Sequence, residues 1–152
     1  MKFSIITVVK NDISKIGLTI KSLKNQSFKD YEHIIFDGES TDGTSEFLKK
    51  ISNKKTLHFR EKDKSVYDAL NKSFKKAKGE YFIVLHSGDF FYSKHSLNLL
   101  SKFIDKNKNY DFYFSNILFY NQENKNISRV WKIPSKNNLK TVDLRININH
   151  FT

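Results

Sequence analysis

The sequence predicts an α/β fold with a mainly parallel central sheet, flanked by helices and followed by a short antiparallel part. First, strand-like runs alternate with helical segments of about ten residues, which is the pattern of βαβ units. Second, the first of these runs, Phe3–Val9, is nearly continuously apolar, as in a strand buried on both faces of a parallel sheet. Third, the strand-like segments after residue 110 are interrupted by polar residues and a turn-like stretch, which is typical of antiparallel strands.

The first two βα units lie in the N-terminal third of the chain. Phe3–Val9 is β-branched and nearly continuously apolar, and a polar break follows it. Apolar side chains then recur at steps of three or four over residues 13–25, which predicts a helix with one buried face. The strand Glu32–Asp37 leads into a polar run with two glycines. This run predicts a loop and a cap before a helix over about Ser45–Ile51.

The third and fourth units continue this order. A short strand near Leu57–Arg60 precedes a helix over about Val66–Ala77, which the dipeptide Lys78-Gly79 is expected to end. The fourth strand, Tyr81–Leu85, precedes a helix over about Ser96–Asp105. Three later segments with a turn at 121–124 predict antiparallel pairing, and the first two could form one strand: 110–116, 117–120 and 127–133.

The composition indicates one globular domain, residues 1–152, with a large apolar core. Hydrophobic residues make up 38% of the chain and aromatic residues 14%, which excludes a disordered protein. The absence of cysteine excludes a disulfide scaffold, a thiolate zinc site and a cysteine nucleophile, and it favours a cytoplasmic location. Because the apolar runs are far shorter than the ~20 residues of a spanning helix, no membrane span or signal peptide is expected.

The net charge of +11 is distributed in a way that argues against a nucleic-acid partner. Residues 1–76 hold 16 basic and 10 acidic side chains, and residues 77–152 hold 11 and 6, so the charge is spread over the chain. Only three of the 27 basic residues are Arg, the residue that nucleic-acid readers favour. Two origins stay open: the codon bias of an AT-rich genome, or attraction to a phosphorylated ligand or to an anionic membrane surface.

Ligands of an open α/β sheet bind beyond the carboxyl ends of its parallel strands. Carboxylates lie at or shortly after three of these ends, namely Asp37 as the last residue of the second strand, Asp63 after the third strand and Asp89 after the fourth. Each has a structural alternative, as a turn residue, a solvated loop charge or a cap of the turn at Phe90–Phe91. Their convergence on one edge of the sheet favours a shared functional site.

Four motifs in order carry a resemblance to a known family: Thr7–Asn11, Asp37–Thr44, Asp63–Asn71 and Gly79–Asp89. Together they resemble the signature of family 2 glycosyltransferases, which have the GT-A fold, over residues 3 to about 92. The resemblance implies a single GT-A-like domain. Its nucleotide-sugar-binding half would be residues 1–92, and residues 93–152 would form an incomplete acceptor-side half.

The resemblance also implies which residues bind the nucleotide sugar: Thr7, Val9, Asn11, Asp37, Asp63, Asp68, His86, Ser87 and Gly88. Thr7, Val9 and Asp37 would hold the base and ribose, since a carboxylate accepts hydrogen bonds from an imide N–H or from sugar hydroxyls. Asn11, Asp63 and Asp68 could each have a structural role instead, and His86 could contact ribose or cap its strand. Tyr67 and Leu70 could equally belong to the core.

The segment Ser87-Gly88-Asp89 lies where similar enzymes often carry Asp-x-Asp. The resemblance implies Mg²⁺ or Mn²⁺ bound by Asp89 and by the phosphates of the substrate, where the cation neutralises the charge of the leaving diphosphate. The implied reaction is an inverting transfer of sugar from a nucleotide-diphospho-sugar to a saccharide or lipid-linked acceptor. The implied role is biosynthesis of a cell-surface polysaccharide such as lipopolysaccharide or capsule.

An inverting transfer also needs a general base that deprotonates the acceptor hydroxyl. Asp111 and Asp143 do not sit in the pattern of the family, so the base is expected beyond Thr152 and the chain is expected to be truncated. The alternative function is a catalytically silent nucleotide-sugar-binding domain. Truncation would expose apolar surface and favour self-association into a homo-oligomer, through a face with Phe112, Phe114, Ile146 and Ile148.

Overall fold

The computed structural model describes residues 1–108, 110–121 and 124–132, together with the backbone of residues 142–148. In chain order the elements are β1 (Phe3–Val9), α1 (Ile13–Lys24), β2 (Tyr31–Asp37), α2 (Thr44–Ile51), β3 (Thr56–Arg60), α3 (Val66–Phe74), β4 (Tyr81–Val84), β5 (Phe90–Phe91), α4 (Ser96–Lys106), β6 (Ser115–Asn121), β7 (Asn126–Trp131) and β8 (Val142–Ile148). The predicted βα alternation is therefore confirmed from β1 to α4.

The chain divides into two compact units, one formed by residues 1–19 and 29–88 and the other by residues 20–28 and 89–152. The first unit holds a four-stranded sheet in the order β3-β2-β1-β4, in which every pair of neighbours is parallel. All residues of the two central strands, β1 and β2, are buried. This burial explains why β1 is almost continuously apolar, whereas β2 also buries the polar side chains of Glu32, His33 and Asp37. The division of the chain at residue 92 stays a prediction.

The predicted end of the third helix is wrong. The helix ends at Phe74 instead of Ala77, because the backbone tightens into bonds that reach back only three residues, from Lys76 to Ser73 and from Ala77 to Phe74. Gly79 has a different role from the expected helix stop. A Cβ atom at Gly79 would overlap the backbone nitrogen of Ser4, so glycine lets the chain pass directly against β1.

The second unit departs further from the sequence-based expectation. Its sheet has the order β5-β8-β6-β7, with β6 and β7 antiparallel as predicted. However, β8 was not predicted, and it runs parallel to β6 and antiparallel to β5. Residues 110–114 do not form the expected strand, and Phe90–Phe91 is a short strand instead of a turn. The expected family match at Asn149 and His150 lies outside the described residues.

Candidate functional site

The four parallel strands of the first unit end along one side of their sheet, which we call the carboxyl edge. The backbone segments that follow these ends are residues 10–12 after β1, 38–43 after β2, 61–65 after β3 and 85–88 after β4. All four segments belong to the first unit. Five of the ten predicted site residues lie in these segments: Asn11, Asp63, His86, Ser87 and Gly88. Thr7, Val9 and Asp37 lie in β1 and β2, Asp68 lies in the first turn of α3, and Asp89 belongs to the second unit.

The segments after β1 and β2 are joined by hydrogen bonds. The amide oxygen of Asn11 accepts the backbone N–H of Thr41 at 2.8 Å, and the N–H of Asn11 donates to Oγ of Ser40 at 2.8 Å. Asn11 has a φ of 52°, the left-handed conformation that asparagine tolerates better than most residues. Asp42 adds a further link by accepting the N–H of Ile13 at 3.0 Å. Asn11 thus fixes the loop after β1, which is the structural alternative considered for it, and its contact with a nucleotide sugar stays a prediction.

Asp37 is completely buried, and the fold uses both of its carboxylate oxygens. Oδ1 accepts the N–H of Ser40 at 2.9 Å, Oδ2 accepts the hydroxyl of Ser45, and Nε2 of His58 lies 3.5 Å from Oδ2. Burial acts to raise the pKa of Asp37, but the hydrogen bonds from Ser40 and Ser45 and the nearby His58 outweigh it. The pKa is therefore lower than its usual value, and the carboxylate is charged at neutral pH.

Thr7 and Val9 tie β1 to the ends of the neighbouring strands. The buried hydroxyl of Thr7 donates to the carbonyl of Leu85 at 2.7 Å. Nε2 of His33, 2.9 Å from the same hydroxyl, is consequently the donor of the second hydrogen bond. The carbonyl of Val9 accepts the N–H of Gly38 at 2.9 Å. Both residues therefore fix the positions of the segments that follow β2 and β4.

Asp63 differs from Asp37 because no described residue hydrogen-bonds to the Asp63 carboxylate. Among the residues that the structure describes, none donates a hydrogen bond to Asp63 or forms an ion pair with it. The carboxylate packs directly on Gly38, where a Cβ atom would overlap its Oδ2 and lie 3.4 Å from Cδ of Lys10. Glycine at position 38 thus allows Asp63 to present a half-buried carboxylate at the carboxyl edge.

Asp68 caps the N-terminus of α3. Its N–H donates to Oγ of Ser65 at 3.2 Å, its Oδ2 accepts the N–H of Lys64 at 3.0 Å, and Nζ of Lys72 lies 3.2 Å from the same oxygen. The hydrogen bond from Lys64, followed by the interaction with Lys72, lowers the pKa of Asp68. Tyr67 is 78% exposed and is therefore not a core residue.

The segment after β4 is held by Thr19 of α1. The hydroxyl of Thr19 donates to the carbonyl of His86 at 3.3 Å and accepts the N–H of Gly88 at 2.9 Å. Gly88 has a φ of 90°, which other residues rarely adopt. Desolvation lowers the pKa of His86, although part of its side chain is exposed, so the ring is neutral at neutral pH.

Ser87 carries an unsatisfied buried group. Its Oγ is shielded from solvent and has no hydrogen-bond partner within the described part of the chain. Most buried hydroxyls in proteins are hydrogen-bonded, and an unpaired one costs free energy. An unpaired hydroxyl at the carboxyl edge is therefore a group that a ligand can satisfy.

The expected Mg²⁺ or Mn²⁺ site in the Ser87-Gly88-Asp89 segment has a single carboxylate, that of Asp89. Asp89 is 6% exposed, and residues 1–108, 110–121 and 124–132 contain no cluster of three or more Asp, Glu, His or Cys side chains that could hold a metal. A hard cation can nevertheless be held by one carboxylate when substrate phosphates supply its other oxygen ligands. Asp89 is therefore the carboxylate that the Ser87-Gly88-Asp89 segment offers to such a cation, and its binding stays a prediction.

Sequence reasoning missed the contributions of Lys15, Thr19 and Gly38. Gly38 was assigned only to a loop, although its missing side chain is what makes room for Asp63. Lys15 and Thr19 are four residues apart in α1, and both contact Gly88. This spacing, which places two side chains on one helix face, is the signal that could have linked them.

The sequence is similar to a known protein family and to several curated proteins. The family model described as Glycosyl transferase family 2 matches residues 4–152. A PGL/p-HBAD biosynthesis glycosyltransferase of Mycobacterium bovis is 28% identical over 120 residues, which are 76% of this chain and 46% of the relative. An uncharacterized glycosyltransferase of Rickettsia bellii is 33% identical over 107 residues, which are 70% of this chain and 15% of the relative. The chain thus spans less than half the length of these relatives.

Solved structures show the same fold. S. aureus TarS 1–349 in complex with UDP-GlcNAc matches 79% of this chain and 34% of its own, with a TM-score of 0.67 and 26% identity. The mannosyltransferase PcManGT from Pyrobaculum calidifontis, in complex with GDP-Man and Mn²⁺, matches 81% of this chain and 36% of its own. Its TM-score is 0.61 at 16% identity, which supports the fold alone. The expected GT-A architecture is thereby confirmed.

Proposed function

The chain belongs to glycosyltransferase family 2, and from this premise we propose that it binds a nucleotide-diphospho-sugar at the carboxyl edge and transfers the sugar with inversion. The proposed acceptor is a saccharide or a lipid-linked saccharide of cell-surface polysaccharide biosynthesis. The observation that carries the proposal is the pair of polar groups that the fold leaves unused, the Asp63 carboxylate and the buried Ser87 hydroxyl. The complex of TarS with UDP-GlcNAc supports a nucleotide sugar as the ligand class.

The two unused groups suit different parts of such a donor. The Asp63 carboxylate accepts hydrogen bonds only, so it suits the imide N–H of a uracil or guanine base or the hydroxyls of ribose. The Ser87 hydroxyl can donate to a phosphate oxygen, with His86 and Gly88 beside it in the chain. The other proposed site residues act mainly by holding these segments in place: Thr7, Val9, Asn11, Asp37 and Asp68.

We propose that Asp89 binds Mg²⁺ or Mn²⁺ together with the phosphates of the donor. The cation would stabilise the charge on the leaving nucleoside diphosphate. In the transfer itself, the acceptor oxygen bonds to the anomeric carbon as the bond from that carbon to the diphosphate breaks, and the proton of the acceptor passes to a general base. Asp111, one of the two carboxylates considered for this base, is exposed between α4 and β6, and Asp143 lies where side chains are not described.

Two further proposals concern contact with a membrane surface and self-association. The net charge of +11 supports peripheral contact with an anionic membrane surface, and none of the described helices is long and apolar enough to cross a membrane. Self-association stays a prediction. Phe112 and Phe114, the two described residues of its expected face, are 78% and 61% exposed.

The proposal is tested by calorimetric titration of UDP and GDP with and without Mn²⁺. We expect one of the two to bind, and Asp63→Asn to weaken that binding about 10- to 100-fold, since a hydrogen bond to a charged acceptor is worth ~1.5–3 kcal/mol. The matched control is Glu80→Gln, which removes one charge at the amino end of β4 and should leave the affinity unchanged. Asp89→Asn should remove the enhancement by Mn²⁺.

Two results would change the proposal, one from this titration and one from an assay of sugar transfer with a labelled nucleotide sugar. A folded protein that binds neither nucleotide would overturn it. Donor binding without transfer to any saccharide or lipid-linked acceptor would instead support the alternative, a catalytically silent nucleotide-sugar-binding domain.

A further inference from the structure

Two lysines that follow β1 reach opposite sides of the carboxyl edge. Because the strand order is β3-β2-β1-β4, the chain leaving β1 lies between the ends of β2 and β4. The side chain of Lys10 lies against Gly38 at the end of β2, whereas the side chain of Lys15 lies against Gly88 after β4. The edge therefore carries one cationic side chain on each side of β1.

The stem of Lys15 covers the backbone of Gly88. A Cβ atom at Gly88 would lie 3.4 Å from Cδ, 3.5 Å from Cβ and 4.0 Å from Cγ of Lys15. One turn further along the same helix, Thr19 fixes the N–H of Gly88 at 2.9 Å. Since Nζ lies only two bonds beyond Cδ, this packing keeps the ammonium group of Lys15 at the end of β4.

The neighbouring residue supplies an independent sign of a ligand. Oγ of Ser87 is buried and has no hydrogen-bond partner among the described residues, so the segment that Lys15 covers also contains an unsatisfied donor. A group that accepts a hydrogen bond from a hydroxyl and is attracted to an ammonium ion is an anionic oxygen. Phosphate oxygens have both properties, and lysine binds phosphate as a point charge.

We propose that Lys15 binds the diphosphate of the donor directly, with the Ser87 hydroxyl donating to the same group. This inference rests on the proposed function, and it adds a protein-borne charge to a site whose Ser87-Gly88-Asp89 segment has a single carboxylate. Part of the donor affinity then does not depend on a divalent cation. Lys15 is a binding residue for the phosphates and makes no contribution to recognition of the base.

The test is a calorimetric comparison of nucleoside and nucleoside diphosphate in EDTA and in Mn²⁺. UDP and uridine, with GDP and guanosine as the second pair, are titrated into the wild type, Lys15→Met, Lys15→Arg and Lys21→Met. Methionine keeps most of the stem over Gly88 and removes the charge, while Lys21 is an exposed lysine of the same helix and serves as the control. We expect Lys15→Met to weaken diphosphate binding about 10- to 100-fold in both conditions. Nucleoside binding should not change, Lys15→Arg should retain most of the affinity, and Lys21→Met should equal the wild type.

Three results would overturn this inference. Equal losses for the diphosphate and the nucleoside would mean that Lys15 positions the loop without contacting phosphate. An unchanged diphosphate affinity in Lys15→Met would mean that no contact exists, while the proposed function would survive through the wild-type binding. If the wild type binds no diphosphate in either condition, the proposed function fails together with the inference.

Discussion

The segments after β2 and after β4 use their polar groups in opposite ways. After β2, the fold occupies the carboxylates of Asp37 and Asp42 with hydrogen bonds from backbone and hydroxyl groups. After β4, the buried hydroxyl of Ser87 has no partner among the described residues. The polar groups of the first segment therefore stabilise the fold, whereas the Ser87 hydroxyl of the second segment has an unused hydrogen-bond donor. Polar groups at one edge of a sheet can thus be hydrogen-bonded within the fold or be left without a partner.

The largest effect that tests this contrast is expected for Asp37→Asn. The substitution removes the charge that accepts hydrogen bonds from Ser40 and Ser45 inside the protein. We expect the free energy of unfolding to fall by about 3 kcal/mol, because buried donors lose a charged acceptor. Urea denaturation measures this loss, and Asp63→Asn is the control, since the unpartnered carboxylate of Asp63 should contribute little. Equal stabilities of the two variants would contradict the contrast.

The lowered pKa of Asp37 also predicts how the stability of the protein depends on pH. The pKa of Asp37 is lower in the folded protein than the unfolded value of about 3.9, so its contribution is fully present above that value. The contribution is lost as the pH falls through the lower folded pKa. The wild type should therefore lose more stability than Asp37→Asn between neutral pH and about pH 3 in urea titrations.

An intermediate effect, on binding instead of stability, is expected for Gly38→Ala. The added methyl group overlaps the end of the Asp63 side chain, which can rotate away at little cost in stability but loses its position at the carboxyl edge. We expect nucleoside diphosphate affinity to fall about tenfold while the free energy of unfolding changes by less than about 1 kcal/mol. The control is Gly17→Ala in α1, where a Cβ atom meets no atom within 4 Å. That variant should gain about 0.5–1 kcal/mol of stability and keep its affinity.

The smallest effect is expected for Ser87→Ala. Whether this substitution raises or lowers the stability of the protein is what tests the contrast. Removing an unpaired buried hydroxyl should raise the stability of the ligand-free protein by up to about 1 kcal/mol. The same change should weaken the binding of UDP or GDP. Ser45→Ala is the matched control, because the Ser45 hydroxyl donates to Asp37 and its loss should destabilise the protein. If Ser87→Ala were as destabilising as Ser45→Ala, the Ser87 hydroxyl would have a structural partner.

The sequence predicted the first sheet well because its central strands are buried on both faces. The bounds of β1 agree with the prediction, and β2 to β4 differ by one residue at one end. The second sheet was predicted poorly for two reasons. β5 has only two residues and gives no pattern, and the signal of β8 was overlooked, although Val142, Leu144, Ile146 and Ile148 alternate with polar residues.

The sequence predicted a site at the carboxyl edge but could not distinguish its carboxylates. Asp37 ends β2 and Asp63 lies shortly after β3, and nothing in the local sequence shows that the fold uses one carboxylate and not the other. Their difference depends on residues from other elements, since Ser45 and His58 surround Asp37 whereas Gly38 lies beneath Asp63. Contacts of this kind are set by the register of β2 against β3 and cannot be derived from spacing along the chain.

The contact between Gly38 and Asp63 also constrains how this protein can evolve. Any side chain at position 38 displaces the Asp63 carboxylate, so the benefit of a new residue there depends on what position 63 carries. The two positions are therefore expected to show epistasis, in which single substitutions lose function and paired substitutions restore it. A laboratory library that varies positions 38 and 63 together should recover binders that two separate single-site libraries miss.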